Sequence, residues 1–402
     1  MSPTTPRAST RLYLIALCVL ITGSQQAGQP PQPLAQEMYV WQRVWTPEVG
    51  AAVRDLGALS AGWRVLVAQT NAQGDWAEFA PDAAALRATG RTLTAVVRID
   101  GARNLADAGA LTERIARWYR ARDGGWTRLE IDYDCATSRL HEYTLFLRRL
   151  RAALPADVAL SITALPTWID SPDLRAVLAA VDESVLQVHS VLDPKRGLFS
   201  APAATRWLER YAELTRKPFW IALPDYGSRL SWDGDGRLLA VVSEGEEWAS
   251  GAEERELEAD PRAVRSVLDA LRTERPPALR GVVWFRLPVR GDRRIWSAGM
   301  LAAVITGEPL AHRLDWSVER DTAGAYRVAL VNSGTEDVPL PRTIHLHRPC
   351  RAADGLGGYV IGRDADGVVL ERETSGMLRS GDSLAVGWTR CEPAAQEIES
   401  EG

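Results

Sequence analysis

The chain has 402 residues, 46% of them hydrophobic, and a formal net charge of −5. That content suits one large core plus a second, smaller one, and the acidic balance argues against nucleic acid, which needs a basic face. Lys195 and Lys217 are the only lysines, so Schiff-base chemistry has little to work with.

Residues 1–36 read as a signal peptide followed by a Gln/Pro-rich linker. Arg7 and Arg11 precede an apolar run from Leu12 to Ile21. A run of ~10 apolar residues is a signal core, whereas a membrane span needs ~20. Cys18 follows Leu17, a poor neighbour for lipid attachment. The expectation is export to the periplasm or beyond, with inner-membrane anchoring only if the signal stays uncleaved.

From residue 37 to 308 one rhythm repeats: a β-rich run, a polar loop, an amphipathic helix. The runs begin "MYVWQRVW" (38–45), "WRVLVAQT" (63–70), "LTAVVRID" (93–100) and "TRLEIDYD" (127–134). They continue "VALSITALP" (158–166), "SVLQVHSV" (184–191), "PFWIALPDY" (218–226) and "GVVWFRLP" (281–288). Eight strands alternating with helices predict an α/β fold of the (β/α)8 TIM-barrel type. An open doubly wound sheet would show a Gly-rich loop after its first strand, and none follows. Asp260-Pro261 reads as the cap and first turn of a helix. Between strands seven and eight, "RLSWDGDGRLLAVVSEGEEW" (229–248) reads as a hairpin hung over the barrel mouth; its "DGDG" is a turn lacking the other calcium-loop ligands.

Period-two alternation with Gly, Asn and Pro turns then predicts a small antiparallel β-sandwich over 309–392, and 393–402 reads as a disordered tail. Cys350 and Cys391 fall in this region. Either they pair, leaving Cys135 a free buried thiol, or all three stay unpaired. His345 and His347 share one strand face that reads as solvated.

On strand four, Glu130, Asp132 and Asp134 alternate with Leu129, Ile131 and Tyr133, so the acids share one face. The apolar face must meet the helices, which turns the acids into the lumen. Arg98 on strand three, Ser161 and Thr163 on strand five, Gln187 and His189 on strand six, and Trp284 and Arg286 on strand eight are expected to face them. Arg43 and Gln69 join by the same parity, and Tyr226 closes strand seven. Glu130 and Asp132 can form a structural ion network with Arg98 and Arg286, whereas Asp134, last in the column, is the chemical candidate. Five histidines are too few for an amidohydrolase metal centre, no nucleophile elbow occurs, and neither a metal nor a cofactor is expected. Carboxylates with aromatics suit glycoside hydrolysis, with Trp45, Trp168, Trp232 and Trp284 as candidate sugar-stacking rings.

The segments "LEIDYDCATSRLHEYTLFLRRLRAALP", "LSITALPTWIDSPDL", "VLQVHSV", "GVVWFRLP", "DGLGGYVIG" and "AVGWTR" resemble the bacterial DUF3142 family over residues 38–390. Strand four is also similar to that of family 18 chitinases, which carry D-x-x-D-x-D-x-E. The resemblance puts Glu130 and Asp132 on its second and third acids and Asp134 on its catalytic glutamate. It places Gln187 and His189 near the strand-six Met-x-Tyr-Asp motif and Trp284 near the strand-eight tryptophan. Thr127 replaces the first Asp, and His189-Ser190 replaces the Tyr-Asp pair.

Two functions follow. The first is an exported glycoside hydrolase-like protein acting on a cell-envelope or extracellular polysaccharide. In it Asp134 is the general acid, Asp132 is its partner, and Glu130, Gln187, His189, Trp284, Arg98, Arg286 and Tyr226 contact substrate. The second is a non-catalytic glycan-binding or envelope-assembly protein on a degenerate barrel. The first needs Asp134 open to a cleft; the second wants it paired with arginine.

Overall fold

The structure, a computed structural model, describes residue 1 and residues 33–401 except 107, 123–124, 190–196, 244–252, 348–349, 351, 364, 366 and 392–397. The expected signal core and Cys18 lie outside the described residues. No helix among those described is long and apolar enough to cross a membrane.

Eight parallel strands close into a barrel. Strand one (Ala35–Val40) pairs with both strand two (Gly62–Thr70) and strand eight (Leu279–Phe285). Strands three (Thr92–Ile99), four (Trp126–Tyr133), five (Ala159–Ala164), six (Glu183–Gln187) and seven (Phe219–Pro224) complete the ring in sequence order. Strand one begins inside the segment expected to be linker, and it ends before Gln42–Trp45. A helix follows each strand, as a parallel sheet buried on both faces requires. The outward residues Met38, Ile131, Leu160, Ile162 and Trp284 share one core with Val53, Ile115, Phe146 and Leu268 from those helices.

Local chemistry sets the helix ends. Asp260 accepts from the Arg262 N–H ahead of Pro261, opening the helix Pro261–Thr273 as expected. That helix buries Val264, Val267, Leu268 and Leu271, each stabilising by roughly 1.5–3 kcal/mol. Ser297 caps Ala298–Thr306, which Gly307 ends in the left-handed conformation (φ 84°) that costs glycine nothing.

The insertion after strand seven forms a three-stranded antiparallel sheet of Gly227–Trp232 between Leu238–Val242 and Glu253–Glu258. Its "DGDG" is a turn: the Asp233 carboxylate accepts from the N–H groups of Asp235 and Arg237. After the barrel comes a β-rich domain of two four-stranded antiparallel sheets. They enclose Val328, Leu330, Ile344, Leu346, Leu370 and Val386. Cys350 and Cys391 are joined as a disulfide, and Cys135 is a free buried thiol. The tail expected to be disordered contributes a strand instead: Ile398–Glu401 pairs antiparallel with Thr343–Leu346, completing a sheet that would otherwise expose that edge. His347 Nε2 lies 3.3 Å from the Glu399 carboxylate across this pairing.

Arginines dock the β-rich domain onto the barrel. Arg262 grips Glu336 with both terminal nitrogens. Arg379 binds Asp337 at 2.9 Å, and Asp337 also accepts from the N–H of Ser297.

Candidate active site at the barrel mouth

The lumen is built in layers. At its base the Arg64 guanidinium, 0% exposed, meets Glu37 at 2.7 Å, Glu183 at 3.2 Å and Glu130 through its third nitrogen. Arg128 adds a second bond to Glu37 at 2.8 Å, and both arginines lie over the Trp220 ring. Glu130 also accepts from the Tyr39 hydroxyl at 2.7 Å and from Ser161 at 2.9 Å. Every carboxylate here has several donors, which is what keeping charge out of water demands. Glu130 therefore lies sealed beneath Tyr39, out of reach of a substrate. Its ion partner is Arg64, where Arg98 and Arg286 were expected.

Above this base opens a cleft of about 230 Å³, whose lining includes Tyr39, Trp41, Arg98, Asp132, Asp134, Thr163, Gln187, His189, Tyr226 and Phe285. Asp132 is buried and accepts from Thr163 at 2.7 Å and from the Gln187 amide at 3.3 Å. The same amide reaches Asp134 at 3.4 Å, so one side chain bridges the two acids. Asp134 follows the end of strand four and is exposed, and it forms no ion pair among the described residues. Burial, then the neighbouring Asp134 charge, push the Asp132 carboxyl up to about 7, against the opposing pull of Arg98. Burial also raises the Asp134 pKa, opposed by the Arg98 charge and the Gln187 hydrogen bond.

Aromatic rings form the floor. Tyr39, Trp41 and Phe285 meet edge to face at 5.3–5.7 Å, and the His189 ring stacks on Phe285 at 5.2 Å. His189 Nδ1 lies 3.2 Å from the Tyr226 hydroxyl. Burial drops its pKa to about 3, so the imidazole is neutral across the physiological range. A neutral ring positions and packs; it supplies no proton.

The structure thus brings together Asp132, Asp134, Arg98, Gln187, His189 and Tyr226 from the expected set, and it excludes three others. Glu130 belongs to the base. Trp284 is fully buried among the helices, its indole N–H donating to Gln36 at 2.8 Å. Val283 and Phe285 hold the inward positions on strand eight. Arg286 bonds Asp292 at 2.7 Å and the Ser243 carbonyl at 3.0 Å and does not line the cleft. Of the candidate stacking tryptophans, Trp168 is also core, donating to the Cys135 carbonyl at 3.0 Å. Arg43 and Gln69 do meet, at 3.1 Å. Sequence reasoning missed Trp41, Phe285 and Tyr39 in the cleft and Arg64 beneath it.

Behind the cleft, Asp225 is 0% exposed and neither of its carboxyl oxygens reaches a hydrogen-bond partner among the described residues. The N–H groups of Asp225 and Arg286 lie near but short of bonding geometry. Burial holds its pKa well above the usual carboxylate range, and Arg286 offsets this only in part. The folded state then keeps a proton that the unfolded chain releases above about pH 4, so stability falls as pH rises from there towards the folded value. Asp225→Asn removes that penalty. Thermal unfolding should show Tm unchanged near pH 4 and raised by at least about 2 °C at pH 8; an equal shift at both pH values would show that ionisation is not the cause.

Residues 89–290 match the family model described as "Domain of unknown function (DUF3142)". The chain belongs to that family. Residues 316–392, in the β-rich domain, match a second model, "Domain of unknown function (DUF8456)". No curated protein matches the sequence. Among solved structures, the spore cortex-lytic enzyme SleL of Bacillus megaterium is similar, with a TM-score of 0.50 and 11% identity, covering 64% of this chain and 71% of that one. SleL of Bacillus cereus gives 0.49 and 14% over the same shares. A chitinase from Chromobacterium violaceum gives 0.46 and 16%, covering 64% of this chain and 96% of that one. At these identities the likeness to SleL is one of fold alone. The site must be argued from its own residues.

Proposed function

We propose that this DUF3142 protein is an exported glycoside hydrolase acting on a cell-envelope or extracellular polysaccharide. The observation that carries the reading is the acid pair at the mouth: Asp134 exposed to the cleft and in no ion pair among the described residues, Asp132 buried beside it, Gln187 bridging both. An ion network built only for stability would pair Asp134, as it pairs Glu130.

In this mechanism the pair holds one proton near neutral pH because two adjacent carboxylates resist ionising together. Asp134 presents that proton to the glycosidic oxygen. Asp132 stabilises the positive charge that develops at the sugar carbon as the bond breaks. Trp41, Tyr39 and Phe285 offer apolar faces to a sugar ring, and Tyr226 offers a hydroxyl. The cleft is smaller than the ~300–1,000 Å³ usual for drug-sized ligands, which suits gripping one ring of a longer chain. The fold neighbour named a spore cortex-lytic enzyme makes an envelope polysaccharide the first substrate to try.

The pH dependence follows with its sign. The active pair is singly protonated, and Asp132 titrates at about 7. Cleavage rate should therefore hold below pH 7 and fall towards tenfold per unit above it. Release of new reducing ends measured from pH 5 to 9 checks this; a rate still rising at pH 8 would remove the proton-sharing pair from the mechanism.

A further inference from the structure

The insertion after strand seven supplies one wall of the cleft, since Ser228, Val241 and Ser243 all line it. Its three strands pair with one another and, among the described residues, with no barrel strand. Something other than a β-ladder must therefore fix where that wall stands. The strand Gly227–Trp232 is tied at its root, where the Gly227 N–H donates to the Arg294 carbonyl at 2.8 Å. The outer strand, Leu238–Val242, is tied at its far end. There the Ser243 hydroxyl meets that of Ser228 at 2.8 Å, and the Ser243 carbonyl accepts from Arg286 at 3.0 Å.

Arg286 directly follows Phe285 of the aromatic floor and is itself buried. Its guanidinium is held in turn by the Asp292 carboxylate at 2.7 Å. The loop that carries Asp292 is gripped from the β-rich domain. Arg379 donates to the carbonyls of Asp292 and Arg293 at 3.3 and 2.9 Å, while its other terminal nitrogen binds Asp337. A chain of charge-assisted bonds thus runs from the β-rich domain to the cleft wall through Asp337, Arg379, Asp292, Arg286 and Ser243. A planar guanidinium serves two partners in fixed geometry, which a single ammonium does not.

We propose that Arg286 is a positioning residue that clamps the insertion in place as a wall of the cleft, and that the β-rich domain sets the clamp through Arg379 and Asp292. Its effect on turnover rests on the glycan reading above; the clamp itself does not. Arg286 does not line the cleft, so it acts on a sugar through Val241 and Ser243. A slack wall grips the ring less in the ground state and the transition state alike, and such a loss appears in KM rather than kcat.

The first measurement needs no ligand. Amide hydrogen exchange of the full-length protein compares residues 238–243 with the barrel strands. In Arg286→Met protein that segment should exchange about tenfold faster or more, while the eight barrel strands keep their wild-type rates. The variant leaves behind only Asp292, whose side chain reaches water, so the fold should survive. Arg286→Lys keeps the charge without the fork and should fall between the two. Arg379→Gln, on the β-rich domain, should speed the same segment, because Asp337 keeps its bonds from the Ser297 and Ser380 N–H groups and the seam persists. Arg286→Met/Arg379→Gln protein should be no faster than Arg286→Met alone, since both changes break one chain. Unchanged exchange over 238–243 in Arg286→Met protein, or a rise shared by all the barrel strands, would overturn the clamp. Fully additive effects in the double variant would overturn the part given to the β-rich domain.

Soluble peptidoglycan oligomers then read the cleft. KM should rise about tenfold in Arg286→Met protein, with kcat within about threefold of wild type and the loss of rate above pH 7 in place. A shifted pH limb would mean that Arg286 acts on the acid pair by its charge, and would overturn the positioning role. If wild type cuts none of these oligomers, that substrate fails while the exchange result still decides the clamp.

Discussion

Arg64→Ala should be the most destabilising single substitution in the barrel lumen. It leaves Glu37, Glu130 and Glu183 facing one another, with Arg128 the remaining cation in the base layer. Two of those glutamates are essentially out of water, and breaking one partner out of a buried ion network costs about 3–5 kcal/mol. In denaturant unfolding the midpoint should drop by that equivalent, or the protein should fail to fold at 37 °C. The contrasting variant is Arg64→Met with Glu130→Gln, which removes charge from both sides and should recover part of the loss. If Arg64→Ala alone costs less than about 1 kcal/mol, in the range of an exposed pair, the base layer is not the dry network described. The cleft above should respond only indirectly, since Tyr39 rests its hydroxyl on Glu130.

Asp134→Asn should leave the fold intact and remove cleavage. The side chain is exposed, its hydrogen bond to Gln187 is long at 3.4 Å, and an amide keeps its shape. Unfolding should shift by no more than about 0.5 kcal/mol. A general acid contributes typically ~10²–10⁴-fold, so the rate should fall at least a hundredfold while glycan binding survives. Asp132→Asn differs in kind. It alters a buried group held by Thr163 and Gln187, so activity and its pH dependence should both change. A variant pair in which Asp132→Asn is silent and Asp134→Asn is unfolded would reverse the assigned roles.

Much of this was legible in the sequence because the barrel alternates side chains with period two. The acids of strand four, Arg98, and the Gln187–His189 pair stand out from apolar neighbours, and each is found in the lumen. Arg64 was hidden by a β-bulge. Between Leu66 and Ala68 the register of strand two against strand three shifts by one residue. Gln69 and Arg64 therefore both face inward, although their numbers differ in parity. Strand eight misled for another reason: it is apolar on both faces, so alternation carries no sign. Trp284 and Arg286 looked like the inward set, yet Val283 and Phe285 hold it. The tail strand Ile398–Glu401 was unreadable because its order depends on a partner sheet edge rather than on its own charged, polar residues.

Incubating the purified full-length protein with a panel of envelope and extracellular polysaccharides, beside Asp134→Asn protein, and reading released oligosaccharides by mass spectrometry tests the central claim most directly. The account predicts fragments of at least one glycan from wild type below pH 7 and none from the variant. Glycan binding without fragments from any member of the panel, or the same fragments from the Asp134→Asn protein, would contradict it.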